Sequence, residues 1–243
     1  MGRVKQFFSD VFALFFMGVG ISTTRPKQRK LDLRRLVNSE DRASEESRDG
    51  GERWVLVNRA ASSVEYRNQQ AVRLDSRSGK GLAWVEDLRF SVGKIDLSVA
   101  AVKQDVGIAF HVQGEREFEA ICFHIGKEAG DETESQRVVV QYLSTDPDRD
   151  ANQEAQFDLP YGQSGEWFKV RAAISKEVIA VFIGGGNVPA LRVDTSGGGN
   201  VYGSVGLWIG PGSSALVADF RIHEVRSDLE KQIRSISGKN PVG

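Results

Sequence analysis

The chain has 243 residues but only one cysteine, two methionines, three histidines and six prolines. Its single cysteine, Cys122, excludes an intrachain disulfide and a cysteine-based zinc site. Cys122 stands inside an apolar run, where a buried, inert thiol is expected rather than a nucleophile. Excess charge of one sign is also missing. Lysine and arginine total 32 against 33 aspartates and glutamates, a net charge of −1. No overall field points to nucleic acid, and no nucleic-acid partner is expected. No apolar run reaches the roughly 20 residues that a spanning helix requires.

Glycine, with 26 residues, is plentiful, and so are short stretches that alternate apolar and polar side chains. Ile95, Leu97, Val99 and Ala101 alternate with Asp96, Ser98 and Ala100. Val106, Ile108, Phe110 and Val112 do so with Gly107, Ala109 and His111, and Ile121, Phe123 and Ile125 with Ala120, Cys122 and His124. Further strands are expected at 71–75, 81–85, 137–143, 167–174, 178–183, 188–193, 203–209 and 216–225. Period-two runs separated by glycine-bearing turns, with almost no helical period, predict an all-β, two-sheet antiparallel sandwich. The ample apolar content, 40% of residues, allows residues 54–226 to share one core.

The flanks differ. Residues 1–22 place a basic start before "VFALFFMGVGI" and then small residues, the layout of a secretory signal. The alternative is an amphipathic helix that associates with a membrane surface. A secreted, periplasmic or cell-surface location is the expectation. Residues 23–53 are crowded with both signs of charge and read as a linker, with a helical turn near Leu31 to Val37. Residues 227–243 carry a short helix: Ser227 and Glu230 form a capping-box pattern, and Leu229, Ile233 and Ile236 share a face.

Four segments in order, "FSVGKIDLSVA", "VGIAFHVQGEREFEAICFHIG", "GEWFKVRAAISKEVIAVFIGGGNVPALRV" and "GSVGLWIGPGSSALVADFRI", carry a resemblance. Together they resemble the concanavalin A-like lectin/glucanase superfamily, nearest its laminin G-like and 3-keto-disaccharide hydrolase-like branches. The resemblance covers residues 54–226 and implies a jelly roll with one curved sheet that often takes carbohydrate. It also implies a structural calcium: relatives hold one with a last-strand carboxylate, which Asp219 matches by position, with Glu65 as a weak partner.

The residues themselves offer few catalytic patterns. Glu115, Glu117 and Glu119 imitate a paired-carboxylate strand motif but approach the core face, as the charged rim of a hairpin turning near "QGER". "DPDRDANQE" spaces Asp146, Asp148, Asp150 and Asn152 like a calcium loop, yet Ala151 replaces the turn glycine and Phe157 the bidentate glutamate. Pairing Phe110 with Ile121 and Ile108 with Phe123 would gather Gly107, Ala109, His111, Ala120, Cys122 and His124 on the opposite face. With Asp96 and Ser98 in the corresponding phase, that face could form a ligand groove, and Trp208 is the first choice for stacking on a sugar. The expected function is non-catalytic binding of carbohydrate or another cell-surface ligand. Two alternatives stand beside it: a glycan-degrading hydrolase using His111, His124 or Asp96, and a structural protein-interaction module.

Overall fold

A computed structural model describes residues 27–37, 52–77, 79–127, 136–146, 153–158, 166–195 and 202–224. The N-terminal segment 1–22, the acidic positions Asp148, Asp150 and Asn152, and the C-terminal segment 227–243 lie outside the described residues. No described helix is long and apolar enough to cross a membrane.

In chain order the elements are β1 (Lys27–Lys30), the single-turn helix α1 (Arg34–Val37), β2 (Trp54–Val57), β3 (Arg59–Tyr66), β4 (Gln69–Ser76), β5 (Gly81–Val85) and β6 (Gly93–Gly114). There follow β7 (Glu117–Lys127), β8 (Gln136–Ser144), β9 (Glu154–Asp158), β10 (Phe168–Ile174), β11 (Val178–Ile183), β12 (Leu191–Asp194), β13 (Ser204–Ile209) and β14 (Ser214–Glu224). They form two antiparallel sheets. Sheet A runs β12-β11-β10-β6-β14-β4-β3, with β1 lying along the second half of β14. Sheet B runs β9-β8-β7-β6-β13-β5-β2. The two alternating runs at 95–101 and 106–112 are one strand, β6. Its first half belongs to sheet A and its second half to sheet B.

Both inner faces are apolar at every second position and meet in one core. Ile95, Leu97 and Val99 face it from the first half of β6, Val106, Ile108 and Phe110 from the second, and all are buried. Phe123 of sheet B meets Phe168 of sheet A edge-on, ring centroids 6.4 Å apart. This is the all-β two-sheet sandwich that the alternation predicts.

The charged stretch read as a linker contributes to the sandwich. β1 pairs with β14 from Lys27↔Glu224 to Lys30↔Arg221, and Leu31, Leu33 and Leu36 are buried in the main core. Glu52 accepts from Arg29 Nε at 2.9 Å and from the Asp32 amide at 2.8 Å, tying both ends of this stretch together. The apolar content resides in three leucines dispersed among charges, which is why composition alone reads as linker.

Of the register shifts, two move residues of interest without changing which sheets pack. Gly114↔Glu117 keeps the expected hairpin tip, but deeper in the hairpin Ile108 faces Ile121 and Phe110 faces Glu119. His111, at φ 50°, absorbs the difference. In β14, Ala218 faces Ser98 but Arg221 faces Asp96, so the bulged strand carries one extra residue, and Asp219 has φ 54°. The extra residue lets both Val217 and Phe220 face the core while Asp219 and Arg221 point outward.

Candidate functional site

The outer face of sheet A holds a cavity of about 420 Å³. β6 supplies Lys94, Asp96 and Ser98 to it, three alternate positions on one face of the strand. Across the sheet, Lys169 faces Ser98 and Arg171 faces Asp96. β14 adds Asp219 from its bulge and Arg221 and His223 from beyond it, and β1 adds Gln28. Gly185 and Gly186 form a rim free of side chains; Gly184 and Gly185 have positive φ, and a Cβ on either would meet only open space.

The pocket's carboxylates are both held by cations. Asp96 Oδ1 accepts from Arg171 Nε at 2.7 Å, and its Oδ2 lies 3.3 Å from His223 Nε2. Asp219 Oδ1 faces Arg221 Nη2 at 3.3 Å and Lys30 Nζ at 3.5 Å, while its Oδ2 accepts from Gln69 Nε2 at 3.1 Å. Burial, and then the neighbouring Arg171 charge, hold the Lys94 ammonium below the usual lysine range, with Asp96 acting in the opposite direction.

The residues proposed for one groove divide among three places. Asp96 and Ser98 line the sheet A pocket. His124 and Trp208 lie on the outer face of sheet B, where Trp208 faces Gly107 and Gly107 faces Cys122. There Trp208 is buried in a small second cluster with Leu82, Ala109, Val112, Ala120 and Cys122, and Trp84, Phe118 and Leu143 pack against it. A tryptophan only 4% exposed leaves a sugar no free ring face. His124 Nδ1 lies 2.9 Å from Asp105 Oδ1 and its Nε2 3.0 Å from Gln141 Oε1, so both nitrogens have partners on the sheet itself. Burial pushes the Cys122 thiol well up, consistent with an inert side chain.

His111 sits on neither outer face. Its bulge turns the ring inward, where it is buried with Nδ1 2.9 Å from Glu119 Oε1 and Nε2 2.8 Å from the Ser91 carbonyl. Tyr142 donates to the other Glu119 oxygen at 2.7 Å. Both ring nitrogens face acceptors, and the ring can donate to both only as imidazolium. Glu119 thus approaches the core as expected of this glutamate set, and His111 fastens β6, β7, β8 and the segment before β6 to one another. Gly203 is required beside it, since a Cβ there would lie 2.4 Å from the His111 carbonyl carbon.

The surroundings of Asp219 do not suit calcium, which takes a shell of oxygen ligands. Two cations and an amide nitrogen occupy its oxygens, and Glu65 is engaged with Gln70 at 3.3 Å. Among the described residues no group of three or more His, Cys, Asp and Glu could hold a metal ion. The basic pocket residues not anticipated from sequence are Lys94, Lys169, Arg171, Arg221 and His223. Lys94 shares the phase of Asp96 and Ser98, which is legible in the sequence. The β14 residues depended on the unseen bulge.

No family model matches the chain, and no curated protein matches it. Solved structures do resemble it. The carbohydrate-binding module CBM66 from Bacillus subtilis is 8% identical, with 70% of this chain and 94% of that one covered and a TM-score of 0.48. A glycoside hydrolase family 16 endo-glucanase from Bacteroides ovatus is 12% identical, covering 69% and 93%, at 0.45. The Ca2+-bound exoplasmic/lumenal domain of VIP36 is 12% identical, covering 71% and 84%, at 0.47. The two-sheet antiparallel sandwich itself rests on the strand pairing described above. No residue role follows from these likenesses.

Proposed function

We propose that this protein is a non-catalytic module that binds carbohydrate, or another hydroxyl-rich surface ligand, in the pocket on the outer face of sheet A. One observation carries the reading: donors and acceptors converge on a single cavity from β1, β6, β10 and β14. Carboxylates, guanidinium groups and hydroxyls at neighbouring positions match the mixed hydrogen-bonding character of a sugar. The side chains stand on paired strands, so their spacing is fixed before a ligand arrives. The pattern of residues 1–22 supports export or membrane association as the setting for this activity.

The Asp96–His223 contact favours a second reading, a glycan-degrading hydrolase of the 3-keto-disaccharide hydrolase-like type, because a carboxylate–histidine pair can move protons. Against it, both oxygens of Asp96 are engaged, and Asp219 is bound by two cations, so neither carboxyl stands ready as a general acid. A protein-interaction module would favour an apolar patch, whereas among the described residues only Val188 and Tyr202 are large, apolar and exposed.

A glycan microarray probed with the native chain and with Arg171→Ala tests the proposal. Binding to a subset of glycans is expected, weakened about tenfold or more in the variant, with no product released from the bound glycans. Absence of binding, or binding unchanged in Arg171→Ala, would overturn it. Release of a shortened glycan would establish the hydrolase reading instead.

A further inference from the structure

The sheet A pocket contains more positive than negative charge, although the whole chain does not. Lys94, Lys169, Arg171 and Arg221 surround two carboxylates, Asp96 and Asp219, in a chain whose net charge is −1. Each carboxylate already faces two basic side chains: Arg171 and His223 at Asp96, Lys30 and Arg221 at Asp219. Lys94 lies two residues before Asp96 on the same face of β6, and Arg171 stands opposite Asp96. Lys94 faces Ala173 on β10 and His223 on β14, and Lys169 faces Ser98, with its carbonyl accepting from the Gly184 amide. Beyond Lys169 the rim is the glycine run at 184–186.

Like charges gathered in a partly buried cavity repel one another, and the repulsion is stronger there than in bulk water. Burial first, and then the Arg171 charge, hold the Lys94 ammonium below the usual lysine range, while Asp96 acts in the opposite direction. A bound anion would relieve that repulsion, whereas a neutral ligand would leave it in place.

We propose that this pocket selects anionic carbohydrate, a sugar bearing a carboxylate or a sulfate ester, with Lys94, Lys169 and Arg171 receiving the anionic group. The inference rests on the carbohydrate-binding reading and specifies its ligand class. The anion sits between β6 and β10 over the Asp96–Arg171 pair. Arg171 commits its Nε to Asp96, and its terminal nitrogens provide the planar fork that suits carboxylate or sulfate. Ser98 and the glycine rim lie beside it, where hydroxyls of the same sugar and its neighbours can approach.

Isothermal titration of the full chain with three probes of equal length tests this: a sulfated glycosaminoglycan oligosaccharide, an oligogalacturonide and a neutral gluco-oligosaccharide. At least one anionic probe should bind about tenfold or more tightly than the neutral one. Its affinity should fall several-fold between about 50 and 300 mM salt. Lys94→Gln with Lys169→Gln should weaken it about tenfold or more, with the circular dichroism spectrum unchanged, because both side chains lie on the outer face. The sulfated and carboxylated arms identify which anion is preferred. A neutral probe bound as tightly as the anionic ones, or anionic affinity insensitive to both salt and the lysine pair, would overturn the inference and leave carbohydrate binding standing. If no probe binds here and no glycan binds on the array, the carbohydrate reading itself fails.

Discussion

At the scale of single residues, the two bulges decide what the chemical side chains can do. His111 and Asp219 each have positive φ within a strand, and each leaves the face that uninterrupted alternation would assign. His111 turns inward to a buried contact with Glu119, so removing the ring takes a hydrogen-bond partner from that carboxyl and from the Ser91 carbonyl. His111→Ala should therefore lower stability by about 1–3 kcal/mol, read from the denaturant midpoint, while ligand affinity of the folded fraction stays unchanged. Unchanged stability with lost binding would instead return His111 to a ligand-contacting role. Alternation makes Ile108, Phe110, Ile121 and Phe123 legible as one core face, because burial enforces parity along a strand. A bulge breaks parity by inserting one residue and leaves little compositional mark. His and Asp tolerate positive φ better than most residues, which is a weak signal at both sites. Lys94 was legible in phase with Asp96 and Ser98. Its significance emerged only when β10 brought Lys169 and Arg171 alongside.

At the scale of elements, the least legible segment is the one that closes the edge of sheet A. β1 is "KQRK", four polar residues that no β propensity scale favours, yet it pairs along β14. Basic side chains on a short edge strand discourage pairing with another chain, so the composition that disguised the strand suits its position. Leu31, Leu33 and Leu36 then bury against the core behind it, and Asp32 accepts from the Arg34 amide at the start of α1. The Arg34 guanidinium, donating from Nε to the same oxygen at 3.0 Å, holds the Asp32 carboxyl below its usual value. Leu36→Ala should destabilise the protein by about 2–4 kcal/mol in chemical denaturation, the range for emptying a buried leucine site. A change within about 0.5 kcal/mol, as at a solvated surface position, would show that this stretch does not belong to the folded unit. β6 illustrates the opposite case. Its two apolar runs are both legible in the sequence, whereas their continuity through 22 residues and both sheets is not, because the residues between them carry no alternation.

At the scale of the molecule, the sandwich has two outer faces of different character. The outer face of sheet B is floored by Gly107, Ala109, Ala120 and Cys122 and filled by Trp208 and Leu82, whereas that of sheet A is charged and hollow. Sequence phase identified polar and small residues on outward positions but could not decide which sheet would offer a cavity. That depends on strand order, on the β14 bulge and on the glycine rim after β11. The measurement that tests this account most directly is a 15N-resolved NMR titration of the full chain with an anionic oligosaccharide that it binds. Amide shifts should concentrate at Lys94–Ser98, Lys169–Arg171, Gly185–Gly186 and Asp219–His223. Shifts concentrated instead at Gly107, Cys122, His124 and Trp208 would contradict the account and move the ligand to sheet B.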